Sequence, residues 1–277
     1  MKTIRMPSGD VVPALGQGTW MMGEDPSTRQ AEIASLQAGL DAGLTLIDTA
    51  EMYGEGATES LVGEAIAARR SEVFLVSKVY PHNASRKAMP IACGNSLKRL
   101  KTDCIDLYLL HWSGPVPLAE TVDAFERLQK AGHIKSWGVS NLDAADMEEL
   151  WAVPGGQACQ TDQVLYNLTR RGPEWDLLPW LRERKLPAMA YSPVEQGRLA
   201  EHKGLADFAR RHGMTAAQAA LAWVLAQEGV IAIPKTGRRE RVAENVRALE
   251  KPLGKEALAE LDRLFAPPKR KVALEMI

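Results

Sequence analysis

The chain has 277 residues, of which 45% are hydrophobic and 25% are charged, a composition typical of a globular protein with one large domain or two average ones. Its 34 basic and 35 acidic side chains leave a formal net charge of -1, which gives no general attraction for nucleic acid or anionic lipid. With no signal-peptide pattern, no apolar run long enough to cross a bilayer, and three sparsely spaced cysteines (Cys93, Cys104 and Cys159), the sequence predicts a cytoplasmic protein without nucleic-acid or membrane partners.

The first predicted element is a short β-hairpin over residues 1–15, which turns at Ser8–Asp10. Apolar strand-like segments and helical patterns then alternate along the rest of the chain. A weaker strand is predicted at Gly16–Trp20. The stronger strand predictions are Thr45–Asp48, Val73–Lys78, Ile105–His111, Ser136–Ser140, Thr161–Val164, Pro187–Tyr191 and Val230–Ile233.

The segments between the strands have helical periodicity. In the segment 117–134, Val122, Phe125 and Leu128 share one face of a predicted helix. The segment 215–229 is apolar nearly all round, with Thr215 as its N-cap and Gly229 as its stop, and predicts a well-buried helix.

Eight strands, each followed by a helix and with no linker between them, predict one parallel α/β domain over residues 1–277. We expect a single (β/α)8 TIM barrel whose bottom is capped by the N-terminal hairpin. A doubly wound sheet is the rival architecture. Its dinucleotide fingerprint is not met, because Gly16-Gln17-Gly18 is followed by Met21 at the position of the third glycine.

Polar side chains stand at the ends of three successive predicted strands. Asp48, Lys78 and His111 close these strands, and Tyr53 lies on the loop after the first of them. Active sites of β/α barrels are built at the carboxyl ends of the strands. Because neighbouring strands lie roughly 5 Å apart, these four side chains are expected to converge as a catalytic group.

Such a group suits the protonation of a carbonyl oxygen. A free tyrosine has a pKa of about 10, and an adjacent ammonium such as that of Lys78 lowers it. A decrease of two units requires about 2.7 kcal/mol. Asp48 would keep Lys78 charged, and a neutral His111 would donate a hydrogen bond to the substrate. Taken singly, each residue has an ordinary alternative: a loop cap, a solvated strand end, a packing tyrosine or a core histidine.

The sequence resembles the aldo-keto reductases over essentially its whole length. The motifs that carry the resemblance are LIDTAEMYG, VFLVSK, DLYLLHW, GVSN, AYSP and IPKTGRRERVAEN. The resemblance implies that Asp48, Tyr53, Lys78 and His111 form the catalytic tetrad of the family. Among family members, the chain is most similar to bacterial reductases that act on methylglyoxal and other small aldehydes, and family habit implies a monomer.

The resemblance also implies NADPH as the cofactor, with NADH as the weaker alternative. Asp162 stands where the family often has an asparagine. Arg238 and Arg239 either add to the positive field around the phosphate or, as we favour, are solvated residues at a helix start. Ser140-Asn141 has the alternative of a helix N-cap. The resemblance places Ser140, Asn141 and Gln163 at the nicotinamide carboxamide and Tyr191 against the nicotinamide ring. It places Lys235, Thr236 and Arg241 at the 2′-phosphate and Glu244 and Asn245 at the adenine. The further cofactor positions are Gly18, Thr19, Ser192 and Pro193.

Residues next to the tetrad are predicted to form the walls of the substrate pocket. They are Trp20, Met52, Tyr80, His111 and Trp112, and plain core packing is the alternative for Met52 and Tyr80. The loops that would enclose a bulky substrate look short, so an open pocket for small carbonyl compounds is expected. The histidines have no ligand spacing, and we predict no metal site.

Two other functions remain open at this point. Channel β-subunits of the same family hold the cofactor and regulate a partner protein. A barrel lyase or aldolase would instead use Lys78 to form a Schiff base. The basic segment around Arg241 favours the reductase over the second alternative.

Overall fold

The fold is given by a computed structural model that describes residues 1–277. The chain begins with an antiparallel hairpin of β1 (Thr3–Arg5) and β2 (Val11–Pro13), in which Ile4 pairs with Val12. The predicted turn lies between these strands, and its glycine, Gly9, has a φ of 96°, a conformation that side chains larger than hydrogen disfavour.

Eight parallel strands follow and form one sheet in sequence order. Its ends meet, because Leu15 bridges to Ala232 and Gly18 bridges to Lys235. A Cβ atom on Gly18 would lie 2.7 Å from the carbonyl oxygen of Ile233, so this closure requires glycine there. The predicted (β/α)8 barrel is confirmed, and every strand lies within one or two residues of its predicted bounds. The strands are β3 (Gln17–Gly18), β4 (Leu46–Asp48), β5 (Phe74–Val79), β6 (Ile105–Leu110), β7 (Ile134–Ser140), β8 (Asp162–Leu165), β9 (Ala188–Tyr191) and β10 (Val230–Ile233).

Ten helices surround the barrel. Thr215 caps α8 as predicted, with a capping box to Gln218. This helix ends at Ala226, three residues before the predicted stop. The helices are α1 (Arg29–Asp41), α2 (Ala57–Ile66), α3 (Ala88–Leu100), α4 (Leu118–Lys130), α5 (Ala144–Ala152), α6 (Leu177–Glu183), α7 (Lys203–Arg211), α8 (Ala216–Ala226), α9 (Arg239–Arg247) and α10 (Lys255–Leu264).

The apolar side chains form two separate cores. The larger has 63 buried residues and fills the layer between strands and helices. The smaller has nine and lies inside the barrel. The hairpin residues Met6 and Val12 belong to this inner core and are only 2% and 1% exposed. They cover the end of the barrel that lies away from the carboxyl ends of the strands.

Strand alternation directs the polar strand ends into the mouth of the barrel. Successive side chains of a strand point to opposite faces, so residues two apart share a face. The inner-core residues Leu46, Val76 and Leu109 are each followed two positions later by Asp48, Lys78 and His111. The apolar filling of the barrel therefore sets the orientation of the polar groups above it.

Candidate active site

A buried ion pair lies at the centre of the barrel mouth. The Nζ atom of Lys78 donates to Asp48 Oδ2 at 2.8 Å, to the carbonyl oxygen of Thr49 at 2.9 Å and to the hydroxyl oxygen of Tyr53 at 3.1 Å. Lys78 is 0% exposed and Asp48 is 2% exposed. All three ammonium hydrogens thus have an acceptor, as a charge at this depth requires.

The ammonium of Lys78 is firmly protonated. Burial disfavours its charged form, but the charge of Asp48 and the contact with Tyr53 outweigh burial, so the pKa of Lys78 is raised above its ordinary value. A Schiff base requires a neutral amine with a free lone pair. The geometry around Lys78 therefore disfavours the lyase or aldolase alternative.

Tyr53 begins a tight turn, Tyr53–Gly56, in which Gly54 and Glu55 both have left-handed backbone angles. Burial raises the pKa of Tyr53 above its ordinary value, although the charge of Lys78 opposes the rise. The predicted decrease of this pKa is wrong, because loss of solvation of the phenolate exceeds the attraction of one ammonium that Asp48 already neutralises. Tyr53 consequently keeps its proton at neutral pH.

His111 is neutral and lies beside Tyr53. Burial, followed by the nearby charge of Lys78, lowers the pKa of His111 to about 2. Its ring centre is 5.9 Å from that of Tyr53 and 4.8 Å from that of Trp112. Its Nδ1 atom is buried without a hydrogen-bond partner.

A chain of hydrogen bonds links the polar residues of the next three strands to the ion pair. Gln163 Nε2 donates to Asp48 Oδ1 at 2.7 Å, and the Ser140 hydroxyl donates to the carbonyl of Gln163 at 2.8 Å. The Tyr191 hydroxyl donates to Asn141 Oδ1 at 2.9 Å. The helix N-cap alternative for Ser140-Asn141 is wrong, because Asp143 caps α5.

These groups open onto a cavity of about 1010 Å³, the size of a large ligand pocket. Most of the residues predicted for cofactor or substrate line it. Lys235 and Arg241 lie on its rim and are exposed. The predicted residues that line the cavity are Gly18, Thr19, Trp20, Asp48, Met52, Tyr53, His111, Trp112, Ser140, Asn141, Gln163, Tyr191, Ser192, Pro193, Lys235, Thr236 and Arg241.

Four predicted residues lie outside this lining. Lys78 is completely buried behind Asp48 and Tyr53. Tyr80 stacks on His82 and contacts the edge of Trp112, so it lies behind that wall. The carboxylate of Glu244 accepts a hydrogen bond from Thr215 at 2.6 Å, and Asn245 lines a small separate cavity.

The cavity also has walls that the sequence analysis missed. Arg238 and Arg239 are exposed at the start of α9, as predicted, and Arg238 also lines the cavity beside Arg241. No sequence pattern marks the others, most of which lie on loops or near the end of the chain, with Ala31 and Glu32 on α1 and Ile233 on β10. They are Met21, Thr28, Ala31, Glu32, Val194, Gln196, Gly197, Ile233, Gly237, Met276 and Ile277.

Asp162 is the least expected carboxyl group near the site. It is 0% exposed, and neither of its carboxyl oxygens has a hydrogen-bond partner. Burial raises its pKa well above the ordinary value. The backbone N–H of Leu142 opposes this rise, and the charges of Asp146 and Asp143 add to it. The folded protein therefore favours the protonated form of Asp162.

The molecule has neither a metal-binding cluster nor a membrane-spanning helix. No cluster of three or more His, Cys, Asp or Glu side chains is arranged to hold a metal ion. No helix has the length and apolar character needed to span a membrane.

Comparison with known proteins places the chain in a family. Residues 14–266 match the model of the aldo/keto reductase family. The chain is 53% identical over 276 residues to the methylglyoxal reductase YeaE of Escherichia coli strain K12, covering 98% of this chain and 97% of that protein. It is 31% identical over 268 residues to the methylglyoxal reductase DkgB of Salmonella typhimurium, covering 92% and 96%. An aldo/keto reductase of Klebsiella pneumoniae, crystallised with NADP and acetate, superimposes with a TM-score of 0.97 at 52% identity, covering 100% of this chain and 99% of that chain. The chain therefore belongs to the aldo/keto reductase family.

Proposed function

We propose that this protein reduces small aldehydes and ketones, methylglyoxal among them, to alcohols with NADPH. The observation that carries the proposal is the buried Asp48–Lys78 pair, which donates to the phenol of Tyr53 at the mouth of a large cavity. Family membership agrees with this chemistry, and the relative that is 53% identical is a methylglyoxal reductase.

Tyr53 is the proton donor in this proposal. It holds its proton at neutral pH, since burial raises its pKa. Once the proton has moved to the substrate oxygen, the ammonium of Lys78, 3.1 Å away, stabilises the phenolate that remains. Asp48 keeps that ammonium charged and oriented.

His111 orients the carbonyl group. Because its pKa is about 2, it is a neutral imidazole that donates one hydrogen bond. A substrate oxygen lying between His111 and Tyr53 receives a hydrogen bond from each. The apolar substituent of the substrate then lies against Trp20, Met52 and Trp112. Tyr80 supports Trp112 from behind.

The donor set of the cavity fits a nicotinamide dinucleotide phosphate. NADPH, when bound, supplies the hydride. Amide and hydroxyl groups lie at one end, next to the tetrad, and cationic side chains lie at the other, at Lys235, Arg238 and Arg241. Guanidinium groups bind a phosphate dianion well, so we propose a preference for NADPH over NADH. The residues proposed to hold the rest of the cofactor are Gly18, Thr19, Ser140, Asn141, Gln163, Tyr191, Ser192, Pro193 and Thr236.

The test is NADPH oxidation with methylglyoxal and aromatic aldehydes in wild type and Tyr53→Phe. We expect turnover to fall by at least about a hundredfold in the variant, with NADPH binding unchanged. Tyr108→Phe is the matched control, because it removes a buried hydroxyl that makes no hydrogen bond of good geometry and that is not part of the cavity lining. An equal loss of activity in both variants would contradict the assigned role of Tyr53.

The same assay separates the remaining alternative. A channel β-subunit type of module would bind NADPH tightly without turning over simple aldehydes. Failure of the wild type to bind NADPH would refute the cofactor assignment itself.

We further propose that the protein acts as a monomer in the cytoplasm. Three free cysteines, two of them buried, agree with a reducing compartment. Light scattering coupled to gel filtration should give a mass near 30.3 kDa. A dimer mass would refute the first part of this proposal.

A further inference from the structure

One wall of the cavity is a loop in a strained conformation. In the segment Ser192–Gly197, hereafter the wall loop, Ser192, Glu195 and Gln196 have φ angles of 48°, 49° and 55°. Residues other than glycine adopt this left-handed conformation only where surrounding contacts hold them. Ser192, Gln196 and Gly197 line the cavity. Contacts outside the loop must therefore maintain this part of the wall.

These contacts converge on Glu195, which is 5% exposed. One of its carboxylate oxygens accepts from Asn167 Nδ2 at 2.7 Å. The other accepts from Arg170 at 3.0 Å and from Arg198 at 2.8 Å. Asn167, itself 0% exposed, also donates to the carbonyl oxygen of Ser192 at 2.9 Å. Asn167 and Arg170, in the turn after β8, thus hold the wall loop at Ser192 and at Glu195.

Arg170 has a second partner, far along the chain. Its Nη1 atom donates to Glu275 Oε1 at 2.5 Å. The two residues after Glu275 are Met276 and Ile277, which line the same cavity as the wall loop although they are 56% and 50% exposed. We call Glu275–Ile277 the tail segment. One guanidinium therefore contacts both segments.

Within the tail segment, the backbone of Ile277 also contacts the hydroxyl of Tyr191, the residue before the wall loop. The residues just before the tail segment have anchors that do not reach the wall loop. Lys271 pairs with Asp176 at 3.0 Å, and Leu274 is half-buried against the outer core. Arg198 contacts Glu195 but makes no contact with Glu275. Among the described ion pairs, the link from loop to tail passes through Arg170.

We propose that Arg170 is a positioning residue that joins the wall loop and the tail segment into one wall, so that cofactor bound under the loop also orders the tail segment over the substrate end of the cavity. The inference rests on the proposed function, because it takes NADP(H) as the ligand beside the wall loop. Coupling of this kind is reciprocal, so ordering of the tail segment also favours retention of the cofactor.

Hydrogen exchange measured by mass spectrometry tests the inference without catalysis. The observable is the exchange rate of the peptide that contains residues 272–277, with and without saturating NADP+. In the wild type, we expect NADP+ to slow this exchange by on the order of fivefold. In Arg170→Gln and Glu275→Gln, NADP+ should still bind while the slowing disappears.

Two matched variants act as controls. Arg198→Gln removes a partner of Glu195 without changing the tail segment. Lys271→Gln removes an ion pair of the residues just before the tail segment without changing Arg170. Both should retain the slowing by NADP+. Steady-state kinetics gives a second readout: Glu275→Gln should raise KM for the aldehyde by about two- to fivefold, the range of a partly exposed ion pair, with kcat unchanged.

The outcomes separate this inference from the proposed function. A wild type that binds no NADP+ refutes both. A wild type that binds NADP+ with no slowing at the tail segment refutes the coupling alone. If Arg170→Gln does not fold, Glu275→Gln gives the test, since it alters an exposed carboxylate. If NADP+ still slows exchange at residues 272–277 in that variant, the proposed role of Arg170 is refuted.

Discussion

The substitution Asp162→Asn is expected to stabilise this protein, and to do so more strongly as the pH rises. Asp162 is fully buried, and neither of its carboxyl oxygens accepts a hydrogen bond of good geometry, although the N–H of Leu142 lies near the group. A buried polar group left without hydrogen bonds costs about 1–3 kcal/mol, and a charged one costs more. Its nearest charged neighbours, Asp146 and Asp143, repel a carboxylate.

The sign of the pH dependence follows from the raised pKa of Asp162. The unfolded chain releases this proton near pH 4, whereas the folded state retains it to higher pH. The contribution of Asp162 to stability is therefore fully present below about pH 4 and is lost as the pH rises towards the pKa of the folded state. Between about pH 4 and the pKa of the folded state, the free energy of unfolding falls by about 1.4 kcal/mol per pH unit. Asparagine does not titrate, so the variant avoids the loss.

Urea unfolding of wild type and Asp162→Asn at pH 5, 7 and 8.5, followed by circular dichroism, measures the effect. We expect the variant to be more stable by about 1–3 kcal/mol at pH 7, with a smaller difference at pH 5. Asp106→Asn is the matched control, because Asp106 is equally deep but pairs with Arg70 at 2.8 Å and with Lys135 at 2.6 Å. It should lose about 1–3 kcal/mol. A destabilised Asp162→Asn variant, or a difference that does not change with pH, would show that the folded state holds a carboxylate at position 162.

Other substitutions test the cofactor end, the ion pair and the helix layer. Arg241→Gln should raise Kd for NADPH by about 10- to 100-fold, with little change for NADH; fluorescence titration measures both, and equal changes would refute a phosphate contact. Lys78→Met should reduce the free energy of unfolding by about 3–5 kcal/mol, because it leaves Asp48 buried without its cation. The double variant Asp48→Asn/Lys78→Met should regain most of that stability in urea titrations but none of the activity, and a double variant as unstable as the single one would argue against charge burial as the cause. Thr215→Ala should cost about 1 kcal/mol through loss of the capping box of α8, and an unchanged melting temperature would contradict it.

The sequence predicted the barrel and the family, and both are confirmed. Strand alternation and strand ends are local features, so the placement of Asp48, Lys78 and His111 at neighbouring strand ends could be predicted from the order of residues alone. Their catalytic roles stay predictions, as do the roles of the cofactor and substrate residues.

Other features could not be predicted, because they depend on distant parts of the chain. The pKa of Tyr53 depends on how much solvent the folded chain removes, and no sequence pattern reports that quantity. Met276 and Ile277 reach the cavity through an ion pair between residues 105 positions apart. Glu244 is assigned to the adenine by resemblance, and no sequence pattern reports the hydrogen bond that its carboxylate accepts from Thr215, 29 positions away.

The inner core of the barrel has a consequence for proton exchange with solvent. Below the ion pair, the barrel is filled with apolar side chains, and Met6 and Val12 cover its far end. Water therefore reaches Tyr53 from the mouth alone, the side by which the substrate enters and the product leaves. In the proposed reaction, the phenolate formed in each turnover must recover its proton along that same route, so a ligand that occupies the mouth also delays reprotonation of Tyr53.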